Sequence, residues 1–286
     1  MKFRGRGLNN ASKIWIREPR PVTLIAHMKQ AWSARSLIVF FAREALLKST
    51  RRTVLGWLWL PLRGVIPTLI GAFVFGGVFG VNSALAPYPL FLLAGLIPWV
   101  LFAATASWSV RCLEISRRYL RASAFPRMVL PLGFTAPALV DALMFLLAYL
   151  LFFAWFALSG HRAPFVGGGV IVASMLAFSA GLGWGLLLCI PGARARDVRF
   201  TLGFVLSAIF ALTPIAYPAQ LVPEAWRWLV ELNPLVGIVE GFRAGLLGGA
   251  ALSMQTWLLS IVFSLASLLA GLWVFVYCEE TFSGNK

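Results

Sequence analysis

The chain has 286 residues, 60% of them hydrophobic and 12% charged, with a mean hydropathy of +0.83. A soluble domain carries about 25% charged residues, so this chain has too little charge to coat a water-soluble globule, and far too much apolar content for a disordered one. The charge is one-sided, 25 Lys and Arg against 10 Asp and Glu for a net +15, and in so apolar a chain the question is which side of a membrane the basic residues occupy.

The basic N-terminus (Lys2, Arg4, Arg6) is not followed by an uninterrupted apolar run of signal-peptide type, so it is expected to stay attached on its own side. Within residues 1–56, the stretch 33–54 reads as a cytoplasmic helix. On a 100° wheel Ile38, Val39, Ala42 and Leu46 share one arc, while Arg43, Glu44, Lys48, Arg51 and Arg52 share the other. Phe40, Phe41 and Leu47 fall on the charged arc, so the amphipathicity is imperfect. Such a helix suits the membrane interface, with its basic face among lipid phosphates.

Crossing about 30 Å of hydrocarbon takes roughly 20 apolar residues in a helix. Six stretches qualify, at 57–80, 88–110, 132–158, 165–190, 201–217 and 256–277. The fifth is short and ends in Thr213-Pro214. All six are read as helices, because an isolated strand leaves its backbone groups unpaired in lipid. With alternating spans, 21 of the 25 basic residues fall on the side of both termini and three (Arg162, Arg227, Arg243) on the other, with Arg63 inside the first span. The positive-inside rule then puts both termini, including the 278–286 tail, in the cytoplasm. The expected class is an all-α polytopic protein of the bacterial inner membrane.

Two loops carry more than a connection. In 111–127, Glu114 precedes Arg117 and Arg118 at i+3 and i+4, the favourable order for helical ion pairs, and the segment forms a polar surface suited to docking a soluble partner. In 218–254, Pro223 opens one short helix and Asn233-Pro234 ends it, and a second apolar piece with Glu240 and Arg243 follows. Both are too short to cross, so they read as re-entrant or surface half-helices before the last span.

Catalytic machinery is hard to find. The chain has no GxxxxGK[ST], GxSxG or HExxH motif, only His27 and His161, and three scattered cysteines, Cys112, Cys189 and Cys278. No metal site or catalytic group is assigned. The one acidic doublet, Glu279-Glu280, suits a solvated helix end. Asp141 lies near the centre of the third span, where a charge costs roughly 2.5–3.5 kcal/mol on insertion scales. It reads either as a pathway residue or as a packing acid paired with a neighbouring Ser, Thr or Arg. Arg63, two turns into the first span, is placed to snorkel towards the cytoplasmic headgroups. Trp57 and Trp59 fit an interfacial belt. Deeper aromatics, among them Phe79, Trp99, Phe102 and Phe145, are candidates to face lipid, pack, or line a passage where flat rings suit sugars. Gly76/Gly80 and Gly181/Gly185 have the small-xxx-small spacing of close helix contacts.

Four segments together resemble ABC exporter permeases of the polysaccharide and polyol-phosphate class. They are Arg51-Arg-Thr-Val-Leu-Gly-Trp-Leu-Trp-Leu-Pro61, Gly95-Leu-Ile-Pro-Trp-Val-Leu-Phe102, Ala124-Phe-Pro-Arg-Met-Val-Leu-Pro131 and Asn233-Pro-Leu-Val-Gly-Ile-Val-Glu-Gly-Phe-Arg243. The resemblance implies a homodimer enclosing a passage, with a separate ATPase subunit docked on each protomer. ATP and Mg would be bound by that partner and no cofactor by this chain. The implied substrate is a lipid-linked O-antigen, capsular polysaccharide or teichoic acid; other partners are membrane lipids, and no nucleic acid. On this resemblance Arg43, Glu44, Glu114, Arg117, Arg118 and Tyr119 would couple to the ATPase, and Arg51, Arg52 and Arg63 would meet the lipid diphosphate. Phe79, Trp99, Phe102, Asp141 and Phe145 are the channel candidates, and Trp226, Asn233, Pro234, Glu240 and Arg243 would form an external gate. The rival readings are a small-molecule or drug exporter of the same fold, an ATP-independent flippase or secondary transporter, and a membrane enzyme acting on lipid-linked sugars. The enzyme would have only Glu224, Glu231 and Glu240 in the external loops to work with.

Overall fold

A computed structural model describes residues 24–50, 58–80, 86–122, 125–160, 167–248 and 253–283. All regular structure among them is helical. In chain order the helices are α1 (Leu24–Ser33), α2 (Arg35–Thr50), α3 (Trp59–Gly71), α4 (Tyr88–Ile115), α5 (Arg117–Ala122), α6 (Val129–Phe134) and α7 (Ala136–Leu158). They continue with α8 (Gly168–Arg194), α9 (Arg196–Leu212), α10 (Arg227–Leu232), α11 (Pro234–Leu247) and α12 (Met254–Ser283).

Five helices are long and apolar enough to cross a membrane: Trp59–Val78, Tyr88–Ile115, Val129–Leu158, Gly168–Arg194 and Met254–Cys278. They overlap five of the six expected spans. The sixth, expected at 201–217, differs. Its helix begins earlier, at Arg196, so that Arg196, Asp197 and Arg199 occupy the first turn, and it stops after 17 residues at Leu212. The stop follows from Thr213-Pro214: a residue before proline is pushed out of the α region, and Thr213 is extended at φ −95°, ψ 130°.

α4 and α8 form the centre. In the most apolar stretch of α4, 78% is buried in protein, against 11% for α3, which lies at the periphery. Gly181 and Gly185 bring α8 against α4, since a side chain at Gly181 would collide with the Phe102 carbonyl and one at Gly185 with Ser109. The Gly76/Gly80 spacing makes no such contact. Gly76 abuts the Tyr88 ring, whereas Gly80 ends its helix at φ +62° with no neighbour within 4 Å of its would-be Cβ. The first crossing changes winding part-way, as α3 passes into a π-helical stretch, Ala72–Val78. The third is interrupted at Thr135, between α6 and α7.

α2 packs on α6 instead of presenting a whole face outward. Its buried side chains are Phe41 and Ala45, with Ile38 and Ala42 partly covered, while Val39 is 53% exposed. The buried arc is therefore rotated towards Phe41, which the wheel placed among the charges. Shape decides this: the glycine at 133 leaves a notch into which Phe41 fits, and a Cβ there would lie 2.7 Å from that of Phe41. Helix α12 continues through Ser283, so most of the expected 278–286 tail extends the last helix.

Candidate functional site

At the end where α4 meets α5, the two elements expected to form a docking platform touch. The Tyr119 ring packs edge-on against Phe40 and Phe41 of α2, at 5.7 and 5.5 Å between centroids. Arg43 and Arg118 are exposed, and Glu44 pairs with Lys48 at 3.0 Å.

Glu114 behaves differently from expectation. Helix α4 ends at Ser116 (φ −95°, ψ 8°), so the register joining Glu114 to Arg117 and Arg118 is broken. Glu114 accepts instead from Arg199 Nη2 of α9 at 3.0 Å, and Arg117 donates to the Ala193 carbonyl at 2.6 Å. Arg199 also donates to the Gly192 carbonyl. Two of the last carbonyls of α8, which have no intrahelical partner, thus take their donors from arginines. Counting basic residues gave Arg199 only a side of the membrane; its distance in sequence from Glu114 concealed the pairing.

In the first turns of α3 and α7, Arg63 Nη1 donates to Asp141 Oδ1 at 2.9 Å, joining the two helices. Asp141 thus has the arginine partner that the packing-acid alternative names, and the Arg63 guanidinium has a partner inside the protein. Arg51 and Arg52 lie outside the described residues. Of the other channel candidates, Phe102 and Phe145 are buried at 1% and 5% exposure, Trp99 stacks obliquely between Phe102 and Phe210, and Phe79 is exposed.

At the opposite end, Arg243 is fully buried and holds the segment that follows α9. Its Nη1 donates to the Pro214 carbonyl at 3.0 Å and its Nη2 to that of Ile215 at 2.7 Å, while Glu240 pairs with it at 2.5 Å. The guanidinium carbon sits 3.7 Å over the Phe91 ring, and Gly95 leaves the space it fills. The next carbonyl, of Ala216, accepts from the Tyr88 hydroxyl at 2.5 Å. Three consecutive carbonyls freed by the unwinding are therefore satisfied by side chains, as burial requires. Asn233 caps α11 by accepting from the Leu235 amide at 3.0 Å and donates to Thr213 Oγ1 at 2.9 Å. Pro234 occupies the first turn of α11, and its carbonyl accepts from Ser260 at 2.6 Å. Trp226 is exposed in the turn before α10. Phe102, Asn233 and Pro234 line one apolar pocket, so a channel candidate and two gate candidates share a surface. The roles of Tyr88, which donates to the Ala216 carbonyl, and of Phe91 and Gly95, which seat the Arg243 guanidinium, were missed in the sequence, where Thr213-Pro214 was the available signal for a break needing donors.

Cys112 and Cys189 meet between α4 and α8 as buried free thiols, Sγ to Sγ 3.4 Å. Among the described residues no group of three or more His, Cys, Asp or Glu is arranged to hold a metal ion.

Residues 36–247 match the ABC-2 type transporter family. The chain belongs to that family. The match runs from α2 to the end of α11, so it takes in the α2–α5 surface, the Arg63–Asp141 pair and the Arg243 cluster. Among its relatives is an O-antigen export system permease protein of Klebsiella pneumoniae, 26% identical over 216 residues, which are 74% of this chain and 81% of that one. An O-antigen export system permease protein of Myxococcus xanthus is 24% identical over 230 residues, 77% of this chain and 84% of the relative. A polysialic acid transport protein of Escherichia coli is 26% identical over 230 residues, 79% and 87% of the two chains. This ABC-2 family chain thus shares most of its length with proteins named for O-antigen export and polysialic acid transport.

Proposed function

We propose that this chain is the permease subunit of an ATP-driven exporter that moves a lipid-linked polysaccharide across the cytoplasmic membrane. The observation that carries the reading is the family match over residues 36–247, together with relatives named for O-antigen export and polysialic acid transport. In this reading two copies enclose a passage, and each docks one separate ATPase subunit that binds ATP and Mg. The chain itself performs no hydrolysis.

The sorting of basic residues supports cytoplasmic termini. Helix α9 serves as the fifth of six crossings. Its 17 residues span about 25 Å, and the capped segment from Thr213 to Tyr217 completes the passage to the outer face. Irregular backbone at membrane depth is tolerated where protein buries it, and Arg243, Tyr88 and Asn233 supply the donors that make this possible. Helices α10 and α11 then form the external gate. Inside, the α2–α5 surface receives the ATPase, and Arg51 and Arg52 meet the lipid diphosphate. The polymer slides past apolar and aromatic walls without tight holding.

The test is co-expression of the chain with its candidate ATPase, followed by reconstitution in vesicles. A stoichiometric complex with ATP-dependent delivery of lipid-linked polymer to the far side is the expected result. Failure to retain any ATPase would overturn the assignment.

A further inference from the structure

α9 is little embedded in the bundle and is pinned at its two ends. Along its length only Leu202 and Leu206 are buried, while Phe200 and Phe204 are 67% and 77% exposed. At its start Arg199 holds Glu114 of α4 and the Gly192 carbonyl of α8. Just past its end, Arg243 and Tyr88 hold the carbonyls of Pro214, Ile215 and Ala216. A single extended residue, Ala195 (φ −123°, ψ 130°), separates it from α8.

The first of these attachments lies two residues from α5. Glu114 is in the last turn of α4 and Arg117 opens α5; both are engaged inside the chain, Glu114 with Arg199 and Arg117 with the carbonyl of Ala193. Side chains committed in this way to the α8–α9 corner make poor docking contacts and good connectors.

We propose that Glu114, Arg117 and Arg199 are positioning residues that transmit displacement of α5 to α9, and that they do not themselves bind the ATPase. The proposal rests on the exporter reading. A push on α5 moves Arg117 against the end of α8 and Glu114 against Arg199. The corner at Ala195 yields, because the backbone link between the two helices is one extended residue and the side-chain link across it, from Arg199 to the Gly192 carbonyl, belongs to the arginine that is pushed. α9 then tilts as a rod and carries the segment held by Arg243 with it. The exposed Arg43 and Arg118, whose side chains reach outward, remain for the partner's surface.

The experiment compares wild type, Glu114→Arg, Arg199→Glu and the double charge exchange, each purified with its ATPase and reconstituted. Expected for each single variant is an ATPase bound at wild-type stoichiometry, with permease-stimulated hydrolysis reduced roughly tenfold, in the range typical of coupling between sites. The double exchange should recover most of the stimulation. Loss of ATPase binding in the single variants would make Glu114 a docking contact and overturn the proposal, as would normal stimulation or an exchange that rescues nothing. Should charge reversal prevent insertion, Glu114→Gln and Arg199→Gln test the same split between binding and stimulation with smaller perturbation. A wild-type chain that binds no ATPase would instead sink the exporter reading itself, so the two failures are distinguishable.

Discussion

Arg63 and Asp141 face each other across α3 and α7 with 2.9 Å between Nη1 and Oδ1. Arg63 is 37% exposed and Asp141 12% at the side chain. Peripheral α3 is attached to the bundle by this pair and by the packing of Gly64 against Phe145 and Ala148 of α7. A lone charge in lipid is costly, and a pair is the usual solution.

Removing one partner should therefore cost more than removing both. Asp141→Ala leaves the guanidinium unpaired and should destabilise the protein by about 2 kcal/mol, between the values for exposed and for buried pairs because Arg63 is partly exposed. Arg63→Leu with Asp141→Leu should recover most of that. Thermal unfolding in one detergent checks the order, which is reversed if each charge acts alone.

Gly95→Ala should loosen the Thr213 end of α9 without replacing a charged residue. Its new Cβ would lie 2.6 Å from Arg243 Nη2, so the guanidinium must retreat from the Pro214 and Ile215 carbonyls. Arg243→Met should go further, leaving two buried acceptors unpaired at about 1–3 kcal/mol each. The measurement is thiol labelling of a Tyr217→Cys reporter, with labelling rising from wild type through Gly95→Ala to Arg243→Met.

Asn233 does two jobs that one substitution separates. Asn233→Asp keeps an oxygen for the Leu235 amide but loses the donor to Thr213, whereas Asn233→Ala loses both and costs about 1 kcal/mol for the cap alone. Hydrogen exchange in the first turn of α11 should rise only in the alanine variant, and exchange around Thr213 should rise in both.

Gly133→Val should displace α2 from α6, since the notch holding Phe41 would be filled. Phe41→Ala leaves a cavity instead, at about 3–5 kcal/mol for a fully buried ring. Limited proteolysis between α2 and α3 reads both, with faster cleavage expected in each variant.

Hydropathy located the five helices that are long and apolar enough to cross, because 20-residue apolar runs have few alternatives in a membrane. The helix of the fifth run, α9, lies about five residues before the apolar stretch, because hydropathy does not register that Ala195 and not residue 200 is where the helix turns. Proline-marked features were legible: the end of α9 at Thr213-Pro214 and the start of α11 at Pro234. Pairings between distant residues were not. Glu114 and Arg199 are 85 residues apart, Arg63 and Asp141 are 78, and local spacing favoured Arg117 for Glu114 until the break at Ser116 removed it. The Phe41 side of α2 was misjudged because a wheel weighs polarity and takes no account of a notch on a neighbour.

The corner at Ala195 sets a mechanical ratio. A rod of 17 residues is about 25 Å long, so a tilt of about 10° swings its far end by roughly 4 Å. Arg199, one turn from the fulcrum, travels less than a quarter as far. Small, forceful motion on one face of the membrane is thereby exchanged for wide, weak motion on the other, and the load at the far end is a short stretch of backbone whose Pro214, Ile215 and Ala216 carbonyls are held by side chains.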